Sequence, residues 1–434
     1  MLPPGPRTPA FLQTLLFLRD PRGYSRRVVS EYGKTTRFRH LNGKGVVTSD
    51  PDIARRVFAA DPETFETPPI LAEILGSASV LATSGATHKR QRKLLNPRFH
   101  GSEVRALAQR MAHVASTHSK KLEEKRESGE VVVMAELAQT LTLDVILETV
   151  FGASASFDRA EARKILVEAI AALSPLLIFS KVFRHALSPP WRRYTRARAA
   201  LDAWVDTRIE ERKSDSDDLL GMLLSARYED GAPMSRREIS DQVFTLLVAG
   251  HETTAVAIAW GVYFFLREKS AAEKLRRSLD ELPANAPPEV LARVPYLDAF
   301  VKETLRIEPV VTDVGRLCRE PLDLGDFVVP KGELVAVNIS ALMSDEDLYP
   351  EASRFRPERF LERKYGPGEF PPFGGGHRRC LGAAFAEMEL AIVLATFVRE
   401  WELVLADQSP ERAVRRNITM GPARGVRVRV VGHR

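Results

Sequence analysis

The segment Phe373-Gly374-Gly375-Gly376-His377-Arg378-Arg379-Cys380-Leu381-Gly382 sets one cysteine behind a glycine-rich turn and ahead of a long apolar helical stretch. Glycines let a backbone fold sharply and come close to a flat ligand. A helix that begins just after Cys380 aims its unpaired N–H groups and positive dipole end at the sulfur, a setting that favours thiolate. A thiolate held in this way is an axial ligand for haem iron that pushes electron density toward O–O cleavage. A lone cysteine near glycines is ordinarily just a small buried residue. Phe-x-x-Gly-x-Arg-x-Cys-x-Gly asks for more, because five residues must fall at fixed offsets.

A second constellation lies inside residues 237–266. Two apolar runs, Val243 to Ala249 and Ala255 to Phe265, flank Gly250-His251-Glu252-Thr253-Thr254. Length alone would allow a membrane span, but Glu252 at the centre argues against one. A buried helix through the middle of a large domain fits better. Gly250 weakens such a helix and threonine hydroxyls bond back to the preceding turn, which predicts a local bulge or kink able to hold water. A buried acid beside an alcohol is costly unless it is used or paired. Two further pairs are weaker alone. Glu303 and Arg306 stand three apart, and His88 and Arg92 four apart, so each pair shares a helix face.

The cysteine segment, the Ala-Gly-x-Glu-Thr-Thr stretch, Glu303-Thr304-Leu305-Arg306 and Phe355-Arg356-Pro357-Glu358-Arg359-Phe360 occur in an order that resembles the cytochrome P450 superfamily over nearly the whole chain. The resemblance implies a mainly α fold with small β-sheets, a triangular prism with haem b (iron protoporphyrin IX) between the oxygen-binding helix and the cysteine-bearing loop and helix. Cys380 would be the iron ligand. Thr253 would hydrogen-bond bound O2 and Glu252 would relay protons, since heterolytic O–O cleavage needs two. Ala249 and Gly250 would leave room over the iron, and Phe373 and Gly374 would belong to the haem loop. Glu303, Arg306 and Arg359 would form a buried structural triad that locks the cysteine loop. Guanidinium groups suit the haem propionates, and Arg378, Arg92, Arg316 and His88 qualify by resemblance.

By analogy the substrate pocket draws on Ile70, Leu71 and Ile74 as a lid, together with Leu81 and Ala82. Leu177 and Phe179 lie opposite, Phe244, Leu247 and Val248 come from the long helix, Val310 and Val311 follow the brace, and Thr419 and Met420 form a far turn. Nearly all are apolar, and about half are expected to be ordinary core. Together they imply a lipophilic substrate, such as a fatty acid, terpenoid, steroid or polyketide-like molecule. The implied activity is that of a monooxygenase, an oxidoreductase acting on paired donors with incorporation of molecular oxygen. No flavin or iron–sulfur motif appears, so electrons would come from a separate ferredoxin or flavodoxin with its NAD(P)H-dependent reductase, docking near Arg378 and Arg379. Epoxidation or oxidative coupling on the same fold is the alternative, with a non-catalytic haem sensor behind it.

The rest of the chain must position these groups. It has 434 residues, 44% of them hydrophobic, with no linker, repeat or low-complexity tract, which points to a single domain over 1–434. Strand-like patterning over 34–50, about 320–340 and the C-terminal stretch marks a β-rich part, and residues 51–306 and 380–400 an α-rich part. Two cysteines, Cys318 and Cys380, make no disulfide framework and fit a reducing cytoplasm. Cys318 reads as a buried strand residue. The net charge of +6 comes with no aromatic–basic module, so nucleic acid is not an expected partner. The proline-rich entry from Leu2 to Pro6 resembles the hinge after the membrane anchor of eukaryotic members, and a chain that starts there reads as a soluble, bacterial-type member with no transmembrane anchor. The run Phe11 to Leu18 is too short to span a bilayer and long enough to lie on one.

Overall fold

Turn and cap chemistry fix where the elements begin. Asp50 accepts from the backbone N–H groups of Asp52 and Ile53, and Pro51 opens the helix Pro51–Ala59. Ser235 and Glu238 form a reciprocal capping box at the head of a 32-residue helix, Arg236–Arg267. That helix is apolar on nearly every side, so it lies in the core rather than on it. The computed structural model describes residues 2–99, 101–152, 157–174, 177–178, 181–211 and 218–434. Among them, the central helix alone is long and apolar enough to cross a membrane, and most of it is buried in the protein.

Two glycines set how closely its neighbours approach. A Cβ on Gly250 would stand 3.0 Å from Cδ1 of Ile146 in the helix Met134–Phe151, and one on Gly261 would stand 2.9 Å from Cδ1 of Leu394 in the helix Ala383–Glu400. The helix runs unbroken through the segment where a bulge or kink was expected. Thr253 and Thr254 donate to the carbonyls of Ala249 and Gly250 at 2.8 and 3.2 Å, while Thr142 donates to the carbonyl of His251 at 3.0 Å. The polar groups are therefore satisfied without breaking the ladder.

The main sheet has five strands in the order Thr35–His40, Gly43–Thr48, Leu334–Asn338, Asp313–Cys318, Phe65–Glu66. Only the Gly43–Thr48 and Leu334–Asn338 pair is parallel. Asp313–Cys318 carries Arg316 and ends on Cys318, which reads as a strand residue in the sequence. Cys318 pairs with Phe65, wholly buried, and burial pushes its thiol up to about 11. Two strands near the chain end, Arg427–His433 and Trp401–Leu405, form a second sheet with Val132–Val133, and Ala413–Arg416 pairs with Thr419–Pro422 in a hairpin. The helices bury one large apolar cluster and the main sheet a smaller one; Phe370 packs against both. The architecture is mainly α with small sheets.

Candidate active site

The cysteine segment is a tight turn rather than an open platform. Cys380 N–H donates to the carbonyl of Phe373 at 2.9 Å, and Gly374 N–H to that of Pro371 at 2.9 Å. Gly374 and Gly376 have φ of +67° and +64°, a region that disfavours other residues. A Cβ on Gly376 would collide with the carbonyl oxygen of Phe58, and one on Gly375 with the Phe58 ring. These glycines thus admit Phe58 of the helix Pro51–Ala59, a protein contact where the sequence suggested a flat ligand. The helix that follows begins at Ala383. The Cys380 side chain is solvent-accessible but flanked by protein, whose desolvation pushes the thiol up, and the Gly382 N–H, Arg379 and Arg92 pull it down without prevailing. The helix terminus alone therefore does not make a thiolate. A bound metal cation would have to supply that charge.

Around this loop stand five cationic or potentially cationic side chains. Arg92 donates to the carbonyl of Arg379 at 3.0 Å, and Arg316 to those of Gly375 at 2.7 Å and Val57 at 3.1 Å. Arg378 turns inward to Thr67 Oγ1 at 2.7 Å, Ser84 Oγ at 3.2 Å and the Thr83 carbonyl. That orientation removes it from the docking face expected of it and leaves Arg379 exposed. His88 packs edge-on against His377, 5.9 Å between centroids. Burial, and then the neighbouring arginines, push these histidines down to about 3 and about 4, so both are neutral. Burial also lowers Arg316 and Arg378 to about 10, each with a smaller push from a neighbouring arginine. Among the described residues the one carboxylate that acts on any of the five is Asp61, on His377. His377 is a member that sequence reasoning missed, since nothing distinguished it from the other polar residues of the loop.

The cluster gathers His88, Arg92, Arg316, Arg378 and His377 in one place, and the surplus of positive charge calls for a dianion. Beside it the Cys380 side chain is open. No group of three or more His, Cys, Asp or Glu converges on a bare ion among the described residues. A metal held by Cys380 must therefore bring its remaining ligands with it. A porphyrin with two propionates satisfies both conditions.

The central helix opens at one place. Ala249 is exposed and Val248, Gly250, Glu252 and Thr253 are partly exposed within an otherwise buried stretch, and the spacing of Val248, Ala249, Glu252 and Thr253 puts those four on one stripe. Gly250, also partly exposed, packs on its other side against Ile146, and its missing Cβ admits that contact. Glu252 accepts from Thr419 Oγ1 at 3.1 Å. Burial raises its carboxyl, opposed by the Thr419 hydroxyl and by Arg416. The hairpin that carries both is pinned by Trp260 Nε1 donating to the Met420 carbonyl at 3.3 Å and Met420 N–H donating to that of Val310 at 2.8 Å.

Several expected pocket residues are core. Phe244, Leu247 and Leu177 are wholly buried, Ile74 and Met420 nearly so, and Val310 lies in the same cluster. The Phe244 ring faces the Arg198 guanidinium at 4.0 Å, and the Ile74 carbonyl accepts from Tyr194. A side chain with no accessible surface in the ligand-free protein does not line an open cavity. Thr419 is equally buried and serves Glu252. Ile70, Leu71, Val248 and Val311 keep accessible apolar surface. Phe179 lies outside the described residues.

Glu303, Arg306 and Arg359 meet with at most 2% exposure each. Arg306 grips both carboxylate oxygens at 2.7 and 2.8 Å, and Arg359 adds a third bond at 3.1 Å. Their remaining donors reach the carbonyls of Met343, Pro350, Glu351, Ala352 and Arg354. The triad thus holds residues 343–359, while the direct grip on the cysteine loop comes from Arg316, Arg92 and Phe58.

Residues 3–426 match the family model described as Cytochrome P450. The chain belongs to the cytochrome P450 family. It is 35% identical to putative cytochrome P450 135B1 of Mycobacterium tuberculosis, over 99% of this chain and 91% of that one. It is 33% identical to putative cytochrome P450 138 of Mycobacterium bovis, over 98% and 96%. The solved structure of retinoic acid bound cyanobacterial CYP120A1 superposes with a TM-score of 0.88 at 26% identity, covering 100% of this P450 and 99% of that chain. This P450 is of bacterial type, a haem-thiolate monooxygenase that takes O2 and electrons from a redox partner.

Proposed function

We propose that this P450 hydroxylates a lipophilic small molecule in the cytoplasm, with Cys380 as the iron ligand and Arg92, Arg316, Arg378 and the two histidines around the propionates of haem b. The observation that carries the reading is the open stripe of Val248, Ala249, Glu252 and Thr253, an acid and an alcohol beside apolar surface on a helix otherwise sealed in the core. Bound haem supplies O2 binding and oxygen transfer. The protein's part is positional. Thr253 Oγ1, parked on the Ala249 carbonyl, can turn its proton toward the open side. Glu252, raised by burial, holds a proton near neutrality more readily than a solvated acid and passes it inward. Thr419 fixes which oxygen of Glu252 is free to do so.

The neighbouring solved structure carries retinoic acid, an apolar isoprenoid acid, which is consistent with a lipophilic substrate. Ile70, Leu71 and Val311 offer the apolar surface for one. Exposed Arg379 and Lys89 lie near the cysteine loop, on a face suited to an acidic ferredoxin or flavodoxin. Turnover with a lipophilic panel, a surrogate ferredoxin and its reductase tests the reading. Product bearing one oxygen atom from O2 is expected, and a protein that binds haem but oxidises nothing in the panel would favour a sensor.

Thr253→Ala should keep electron consumption and lower product per electron about tenfold or more. Equal coupling in the variant would remove Thr253 from the relay. Thr419→Val removes a group that pulls the Glu252 carboxyl down, so Glu252 should titrate at higher pH. The pH at half-maximal product per electron then moves upward while KM for substrate stays constant. An unmoved profile would limit Thr419 to packing.

A further inference from the structure

The helix Gly85–Leu95, GATHKRQRKLL, carries four Lys and Arg and no acid. Its buried side is made of His88, Gln91 and Leu95. At about 100° per residue, Arg92, Lys89, Lys93 and Arg90 follow one another in that order over about 160° of the opposite side. Arg92, at one edge of this cationic strip, bonds the Arg379 carbonyl beside Cys380. The strip therefore starts at the cysteine loop and runs away from it across the surface.

An acidic turn stands at the far edge. Tyr228 N–H donates to the Ala232 carbonyl and Gly231 N–H to that of Tyr228, both at 2.9 Å, with Gly231 at φ +78°. Tyr228 and Met234 are buried in the large apolar cluster. The Tyr228 hydroxyl donates at 2.9 Å to Glu238, the capping-box acid of the central helix. The turn is thus rigid, and it holds out Glu229 and Asp230. Arg90 Nη2 donates to both carboxylate oxygens of Asp230 at 2.8 and 2.9 Å, its guanidinium 3.7 Å from the centre of the Tyr228 ring. Lys93 donates to Glu229. Lys93, and less strongly Lys89 and Arg90, hold the Glu229 carboxyl below its ordinary value. The four paired side chains are between 43% and 77% exposed, so the pairs add little to stability and open readily to a competing carboxylate. Lys89 and Arg379 stay open to solvent.

We propose that this turn is a built-in competitor for the electron donor: Glu229 and Asp230 occupy Lys93 and Arg90, and the carboxylates of an acidic electron-transfer protein bind by displacing them. The inference rests on the reading of this face as that partner's docking face. It adds a threshold, because a partner with few carboxylates cannot outcompete acids that are already in place. Titration of the haem-loaded protein with an acidic plant-type ferredoxin tests it, with Kd read at low and at high salt. Glu229→Gln with Asp230→Asn should bind the ferredoxin about five- to tenfold more tightly than wild type at low salt. At high salt, where exposed charges are screened, the two should bind alike. Asparagine keeps an oxygen for the Ala232 N–H, which Asp230 Oδ1 receives at 3.0 Å, so the turn should survive. The carbon monoxide difference band should be the same in both proteins. Unchanged or weaker binding by this variant would overturn the inference and reduce the two acids to a brace for the helix. Lys89→Gln with Arg379→Gln separates that result from a failure of the docking reading, since weaker binding by this second variant is expected whatever the turn does. If neither salt nor the second pair of substitutions changes the affinity, the partner docks elsewhere and both readings fall.

Discussion

Glu303→Gln should strip this P450 of most of its folded, haem-loaded form. Glutamine keeps the size of the side chain and removes the charge that two buried guanidinium groups share. Arg306 and Arg359 would then hold positive charge in the core with only carbonyl dipoles as partners. Breaking a buried pair in this way costs about 3–5 kcal/mol. A domain stable by about 5–15 kcal/mol loses a large part of its margin. Lys302→Gln on the same helix is the contrast. Its bond to Asp298 is half exposed and worth at most about 1 kcal/mol. Urea unfolding followed by the Soret band reads both. A midpoint for Glu303→Gln no lower than that for Lys302→Gln would mean that the triad does not brace the fold.

Cys380→His should leave the fold standing and abolish the chemistry. The Cys380 side chain is open, outside the apolar cores, so little packing is lost. The neutral imidazole that replaces it supplies no anionic electron push to the iron. The difference spectrum of the reduced protein with carbon monoxide should move from the strongly red-shifted Soret position to that of histidine-ligated haem, and monooxygenation should fall to background. Persistence of the red-shifted band would require another thiolate. Cys318 is the other cysteine, wholly buried in the sheet with a thiol pushed up to about 11, so it is poorly placed to serve.

Local patterning made much of this legible. The α-rich part read from residue 51 begins with the helix Pro51–Ala59, and the apolar runs around Glu252 announced a core helix. The spacing of Glu303 and Arg306 placed an acid and a base on one helix face, where they meet. Other readings failed where sequence cannot report distance. Gly250 also packs against Ile146, a contact of which the sequence bears no sign. Phe244 and Leu247 looked like pocket wall and proved to be core, because apolar residues on either side of a buried helix are alike in sequence. His377 gave no signal, and Thr419 read as pocket wall rather than as the partner of Glu252, since a polar residue in a loop or hairpin acquires a role only from what it faces.

The sequence by itself determined the family, the order of its landmarks and the one cysteine we propose as iron ligand, because those rest on residue types at fixed local offsets. Tertiary structure alone decided which cations converge beside that cysteine. It also decided which stripe of the long helix stays open, what holds Glu252, and which way the helix Ala10–Arg19 turns its apolar face. Each of these depends on contacts between segments tens to hundreds of residues apart, such as Arg92 with Arg379 or Glu252 with Thr419. Periodicity shows that a helix has an apolar face; only the bonds made by Gln13 and Thr14 show that this one looks outward.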